Sequence, residues 1–106
     1  MEEQQSWLPM KRKFFVQVFA VEQDGNYQYR SVIFPASRPM DGSLVCEKWH
    51  RGESEMVQIL NSGLRNVVDT KDVLSRAQSI EGWMMKLELT DSEATLLGWK
   101  PELLGD

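Results

Sequence analysis

Two neighbouring segments near the start of the chain have the residue pattern of β-strands. Residues 13–23 read KFFVQVFAVEQ and residues 26–34 read NYQYRSVIF, and both are rich in β-branched and aromatic residues. Asp24 and Gly25 lie between them and form the small pair that favours a tight turn. The pattern therefore predicts an antiparallel hairpin.

The first strand of this hairpin has apolar side chains on both faces. Alternation divides them into two sets, because successive side chains of a strand point to opposite sides. One set is Phe14, Val16, Val18 and Ala20, and the other is Phe15, Phe19 and Val21 with Gln17 among them. One face can pack on helices, so the second needs another element, an N-terminal arm or a partner chain to cover it.

The segment after the hairpin is a loop followed by an ambiguous stretch. Residues 35–43 contain two prolines and a glycine, which is typical of a loop. Residues 43–50 fit either a strand or a helix capped by Ser43. We favour a third strand, because Gly52 interrupts the run and the apolar positions are few.

Helical spacing begins further along the chain. Residues 54–67 repeat apolar residues every three or four positions, with Ser54 as the expected N-cap. Gly63 lies either inside this helix or at its C-terminal end. A second, shorter helix is expected after Thr70, where apolar residues recur at helical spacing up to Ile80.

The last part of the chain predicts one more strand and one short helix. Residues 83–90 alternate apolar and polar residues, and Thr90 with Glu93 has the spacing of a capping box. The order predicts an α+β fold with a mainly antiparallel sheet, built from the N-terminal hairpin plus one or two further strands. Two or three helices would pack on one face of this sheet.

The length of 106 residues suits a single domain. We assign residues 1–10 to a flexible N-terminal arm and residues 11–106 to one α+β domain. The acidic start and the single cysteine favour a cytoplasmic protein without a disulfide. No apolar run reaches the roughly 18 residues of a membrane span, so no membrane partner is expected.

Charge argues against nucleic acid as the default partner. The chain has 12 basic and 16 acidic side chains, for a net charge of −4. Proteins that bind nucleic acid usually present a basic surface to the phosphates. The only basic run is Lys11, Arg12 and Lys13, with Glu2 and Glu3 close before it.

Cys46 and His50 are the only cysteine and the only histidine, four residues apart. On a helix they would share a face and could form a nucleophile and base pair. On a strand the same spacing spans about 13 Å, which prevents direct contact. The favoured strand therefore disfavours a catalytic pair, and a buried thiol is the ordinary interpretation of Cys46.

Metal or cofactor chemistry has little support. A structural zinc site needs about four ligands, mostly cysteine or histidine, and this chain has one of each. Neighbouring glutamates complete no diagnostic spacing, and no glycine-rich phosphate loop is present. We therefore expect no metal and no cofactor, and we assign no catalytic residue.

Aromatic residues are the remaining functional signal. Four tryptophans and six methionines are many for this length, and tryptophan is enriched at the centres of protein interfaces. Trp49 has cationic neighbours and suits a contact with a protein or an anionic ligand. The predicted partner-binding residues are Trp49, Arg51, Phe15, Phe19 and Trp99.

Three hypotheses follow from these patterns. The first is a non-enzymatic binding or assembly protein that acts as a homodimer through an aromatic and apolar surface. The second is a carrier or sensor of a small apolar or anionic molecule, with a pocket between sheet and helix lined by Met56, Leu60, Trp83 and Met85. Core packing is the simpler role of Trp83 and Met85. The third is a thiol- or metal-dependent enzyme at Cys46 and His50, which the strand geometry disfavours.

Overall fold

The computed structural model describes residues 10–104, and these form one four-stranded antiparallel sheet with helices on one side. The strand order is β3-β2-β1-β4. The strands are β1 (Lys11–Gln23), β2 (Asn26–Pro35), β3 (Cys46–His50) and β4 (Met84–Thr90). The helices are α1 (Gly52–Ser62), α2 (Thr70–Ser79) and α3 (Asp91–Thr95), with short 3₁₀ turns at Gly42–Leu44 and Pro101–Leu104. The predicted α+β class with an antiparallel sheet is confirmed.

The predicted hairpin is present with its predicted turn. β1 and β2 pair antiparallel from Phe14 opposite Pro35 to Gln23 opposite Asn26. Asp24 has φ 53° and Gly25 has φ 81°, so both central residues of the two-residue loop adopt positive φ. This conformation matches the right-handed twist of the flanking strands, and aspartate and glycine tolerate it better than other residues.

The segment that was ambiguous in sequence is a strand for most of its length. Asp41 accepts a hydrogen bond from the backbone of Ser43 and begins a single 3₁₀ turn, after which β3 starts at Cys46. β3 pairs with β2 and forms one edge of the sheet. The preference for strand over helix is therefore confirmed for Cys46–His50.

Helix α1 differs from its predicted bounds. It begins at Gly52 with Arg51 as N-cap, so the prediction of Ser54 as N-cap is wrong by three positions. Gly52 has φ 73°, which lets the chain turn sharply from β3 into the helix. Glu53 and Glu55 lie in the first turn, where carboxylates interact favourably with the helix dipole. The helix ends at Ser62 with Gly63 as C-cap, the shorter of the two predicted forms.

The two later helices begin with side-chain caps. Asp69 accepts a hydrogen bond from the backbone of Lys71 at the start of α2. Thr90 and Glu93 form the predicted capping box at α3, because each side chain accepts a hydrogen bond from the backbone of the other residue. These caps fix where β4 ends and where the short last helix starts.

The core lies between the helices and one face of the sheet. The buried side chains of β1 and β2 on this face meet the apolar stripes of α1 and α2 and the short C-terminal elements. Trp99 is the largest of them, and its ring lies edge-on to Phe14 with centroids 5.1 Å apart. The cluster is Phe14, Val16, Val18, Tyr29, Ile33, Cys46, Met56, Leu60, Leu64, Val73, Ala77, Leu89, Ala94, Leu97 and Trp99.

The predicted arm at residues 1–10 falls almost entirely outside the described residues. Within residues 10–104, no helix is long and apolar enough to cross a membrane.

Candidate functional site

The face of the sheet turned away from the helices, which we call the open face, carries aromatic side chains together with polar and charged ones. Alternation along each strand decides which side chains belong to it, and cross-strand register arranges them in rows. One row is Trp49, Arg30 and Phe19; the next is Glu47, Val32, Gln17 and Met84; the third is Phe34, Phe15 and Lys86.

Cations lie over the aromatic rings of the open face. The Arg30 guanidinium is 4.5 Å from the centre of the Phe19 ring and 5.8 Å from that of Trp49. It also donates to Glu47 at 3.0 Å. On the other side of the sheet's midline, the Lys86 ammonium is 5.7 Å from the Phe15 ring. These contacts hold long charged side chains flat on the sheet and shield part of the apolar area.

The two edges of the open face are its most exposed apolar points. Trp49 on edge strand β3 is 51% exposed, and Met84 on edge strand β4 is 45% exposed. Between them, Phe15 and Phe34 contact each other with ring centroids 5.5 Å apart and are only half-buried. Exposed apolar side chains at both edges, with half-buried rings between them, are typical of a binding face.

The structure brings together three of the five predicted partner-binding residues. Phe15, Phe19 and Trp49 all lie on the open face. Arg51 is exposed and is the N-cap of α1, directly after β3. Trp99 is only 1% exposed and packs on Phe14 on the opposite side of the sheet, so it does not belong to the surface.

The sequence-based set lacked several residues of the open face, among them Arg30, Phe34, Met84 and Lys86. Alternation in β2 and β4 places each of them on a definite side of its own strand. For Met84 and Lys86, the prediction also required knowing that β4 pairs with β1 and so extends the second face of the hairpin.

Cys46 and His50 lie at opposite ends of β3, both on the core face. At the ordinary rise of a strand they are about 13 Å apart, so they form no nucleophile and base pair. His50 instead meets Ser31, whose Oγ is 2.8 Å from His50 Nε2. Both side chains are completely buried, which encloses this pair inside the sheet and helix layer.

The other ring nitrogen of His50 faces helix α1. His50 Nδ1 lies 3.9 Å from Glu55 Oε1, beyond hydrogen-bond distance, and among the described residues it has no hydrogen-bond partner. Burial lowers the pKa of His50 below its usual value, nearby Lys48 lowers it further, and Glu55 opposes both. Ser31, His50 and Glu55 thus follow one another in space, with His50 in the middle. Ser31 is fully buried, however, and exposes no nucleophile to a substrate.

A second polar contact lies beside this pair. Tyr29 is buried, accepts a hydrogen bond from Gln78 at 2.7 Å and donates a longer one of 3.4 Å to Glu53. Burial raises the pKa of the Tyr29 phenol above its usual value, which the Gln78 hydrogen bond partly offsets. The hydroxyl therefore joins β2 to the first turn of α1 and to α2.

The pocket predicted between sheet and helix is filled by side chains. Met56 and Leu60 are 0% and 1% exposed and belong to the core, while Trp83 and Met85 pack against it. Three surface concavities, of about 890, 440 and 340 Å³, lie elsewhere, and none of these three is lined by any of the four residues. The largest is an open groove between α1 and α2 around Val57, Val67 and Leu74.

Within residues 10–104, no group of three or more histidine, cysteine, aspartate or glutamate side chains is arranged to hold a metal ion. No protein-family model matches the chain, and no curated protein and no solved structure matches it. The open face combines exposed apolar side chains at its edges with cations over its aromatic rings, and it is the candidate site.

Proposed function

We propose that this protein is a non-enzymatic binding or assembly module that works as a homodimer, with the open face as the interface between two copies. The observation that carries this proposal is the position of Trp49 and Met84. They are among the most exposed large apolar side chains, and they lie at opposite edges of one aromatic sheet face. We assign the module to the cytoplasm, since a chain with one cysteine gains nothing from an oxidising compartment.

A second copy fits this face because the face is self-complementary about a two-fold axis that runs along the strands. Such an axis places edge strand β3 of each copy over β4 of the other. Trp49 then meets Met84 of the partner subunit diagonally, since their rows are neighbours. The half-buried rings of Phe15 and Phe34 lie in one row. Across the interface, Phe15 of one copy therefore faces Phe34 of the partner subunit, and Phe34 faces Phe15 of the partner subunit.

Charge supports the same arrangement. Glu47 lies on the β3 edge and Lys86 on the β4 edge of the open face, in neighbouring rows. The two-fold pairing brings each carboxylate near the partner's ammonium. Opposite charges at opposite edges favour this orientation over its alternatives.

The test is the association constant measured by sedimentation equilibrium. The double variant Trp49→Ser with Met84→Ser removes the two exposed anchors, and we expect dimerisation to weaken at least about tenfold, because exposed anchors of this size carry much of an interface's energy. The matched control is Met40→Ser with Ile80→Ser, which removes side chains that are 94% and 45% exposed but lie outside the open face. The control should dimerise like the unmodified chain.

A charge exchange tests the orientation. Glu47→Lys and Lys86→Glu should each weaken the dimer, because each puts like charges together, and the double variant should recover most of the lost affinity. Far-ultraviolet circular dichroism checks that all three variants stay folded. Additive losses in the double variant would rule out the two-fold arrangement along the strands.

Three outcomes would overturn the proposal. One is a chain that stays monomeric at millimolar concentration. Another is a chain that dimerises only after residues 1–9 are deleted, which would make that segment the cover of the face. The third is a monomer that binds a labelled single-stranded oligonucleotide and loses this binding in Trp49→Ser, since aromatic sheet faces also stack on bases.

A further inference from the structure

A concavity of about 440 Å³ lies near the end of the sheet where β1 begins and β2 ends. Its volume is within the range of small-molecule sites. Three of the residues around it are cationic, and among residues 10–104 the lining contains no carboxylate. The lining is Arg12, Lys13, Pro35, Ala36, Ser37, Lys86 and Leu104.

The three cations of this concavity differ in how close an acidic side chain lies to each of them. Arg12 has its Nε 3.6 Å from the Asp91 carboxylate, which offsets its charge. Lys13 and Lys86 are both exposed, and Glu88 lies opposite Lys13 on β4. Glu88 is not among the lining residues, so Lys13 and Lys86 are the exposed cations of the concavity itself.

The remaining lining gives the concavity an apolar side and a fixed backbone. Pro35, Ala36 and Leu104 contribute aliphatic surface, and Ser37 adds a hydroxyl. The Ala36 amide donates to the Lys13 carbonyl at 2.9 Å, which holds the chain after β2 against the start of β1. The site is therefore built from a sheet end rather than from a free loop.

We infer that this concavity binds a phosphate monoester with a small apolar organic group. Lys13 and Lys86 together supply two positive charges, which match the charge of about −1.5 to −2 that a phosphate monoester carries near neutral pH. The Ser37 hydroxyl gives the phosphate one further donor, and the aliphatic side receives the organic group. Lys86 also belongs to the open face, so this site and the proposed dimer share that one residue.

The probe for this site is phenyl phosphate. Its binding is measured by isothermal titration calorimetry and by changes in backbone NMR chemical shifts. We expect it to bind at least about tenfold tighter than inorganic phosphate or benzyl alcohol, because each of these lacks one half of the match. The largest shifts should fall on the amides of Ala36, Ser37 and Leu104. If inorganic phosphate binds as tightly as phenyl phosphate, the concavity does not recognise the apolar group. If benzyl alcohol binds as tightly, the concavity does not recognise the phosphate, and in either case the inference is overturned.

Variants assign the binding to the two lysines. Lys13→Gln should weaken phenyl phosphate about tenfold, since it removes one charge-assisted contact, and adding Lys86→Gln should weaken it further. Lys71→Gln with Lys100→Gln is the matched control, because both are exposed lysines outside the concavity, and it should bind within about twofold of the unmodified chain. A similar loss in the control would show diffuse attraction and overturn the site.

One further variant distinguishes binding at the concavity from binding on the open face. The variant Trp49→Ser with Met84→Ser should keep its affinity for phenyl phosphate, because neither residue lines the concavity. Loss of binding in that variant would mean that the ligand lies on the open face, and the assignment to the sheet end would be wrong.

Discussion

The two faces of the sheet are made by the same strands but handle polar groups in opposite ways. On the core face, Ser31 and His50 are completely buried and meet at 2.8 Å. On the open face, Arg30 and Glu47 meet at 3.0 Å, with 33% and 49% of their side chains exposed. Neighbouring residues of β2 therefore belong to two different electrostatic environments.

The difference between the two faces indicates how the open face stays ordered without a helix over it. In the core, apolar side chains are covered by other apolar side chains. Ser31 Oγ and His50 Nε2 satisfy each other there, while His50 Nδ1 has no hydrogen-bond partner among the described residues. On the open face, the aromatic rings are covered in part by guanidinium and ammonium groups that remain near water. Such a surface can face solvent and can also be covered by a partner.

The largest difference between the faces should appear when adjacent phenylalanines are shortened. Phe14→Ala removes a fully buried ring that contacts Trp99, and we expect a loss of about 3–5 kcal/mol in the free energy of unfolding. Phe15→Ala, one residue further on, removes a half-buried ring on the open face and should cost less than half as much in the monomer. Urea unfolding at low protein concentration measures both.

The same pair separates folding from association. Phe15→Ala should make the unfolding midpoint nearly independent of protein concentration, because it removes interface area, while a dimer of the unmodified chain gains stability with concentration. Equal losses for the two variants at all concentrations would show that both faces are equally covered within one chain.

Much of this fold could be predicted because its signals are local. The turn at Asp24 and Gly25, the strand alternation in β1 and the capping box at Thr90 and Glu93 each lie within a few residues, and each is present in the structure. The start of α1 was misplaced because Ser54 looked like a cap. The positive φ of Gly52 instead lets the helix begin right after β3.

The candidate site was harder to predict because it depends on pairing between distant strands. β4 lies beside β1 rather than beside β3, and this brings Met84 and Lys86 to the open face. Trp99 was assigned to a surface because an apolar tail has no local sign of where it docks. In the structure it covers Phe14 in the core. The contact of Ser31 with His50 likewise joins two strands through register, which single-sequence spacing does not encode.

The next largest effect concerns the buried polar pair. Ser31→Ala removes the hydroxyl and leaves His50 Nε2 buried without that partner, and we expect a loss of about 1–3 kcal/mol in the free energy of unfolding. The double variant Ser31→Ala with His50→Leu removes both polar groups and should recover part of this loss. A double-mutant cycle in urea measures the coupling, and a coupling near zero would show that the contact contributes nothing.

His50 should also make stability depend on pH. Its folded pKa is lowered by burial, so the unfolded chain takes up a proton first as the pH falls. The free energy of unfolding should therefore be constant above the unfolded histidine pKa of about 6.5 and fall below it, by at most about 1.4 kcal/mol per pH unit. His50 is the only histidine, which makes the assignment direct.

The measurement is urea unfolding at several pH values between 5 and 7.5, with His50→Leu plus Ser31→Ala as the control. The control should lose the pH dependence in this range. Two charged groups, Lys48 and Glu55, act on the ring, and Glu55→Gln should steepen the fall, because it removes the carboxylate that favours the protonated form. A fall that persists unchanged in the control would assign the titration to other groups.

The smallest effect should come from the exposed polar pair on the open face. Arg30→Gln removes the contacts with Phe19, Trp49 and Glu47, yet we expect a loss below about 1 kcal/mol in monomer stability, because water replaces much of what exposed ion pairs supply. Arg76→Gln is the matched control, since Arg76 lies 5.8 Å from the Trp83 ring and binds Asp72 at 2.8 Å on the helical side. Both variants should unfold alike, but only Arg30→Gln should change the association constant. If Arg76→Gln changes association equally, the interface does not lie on the open face.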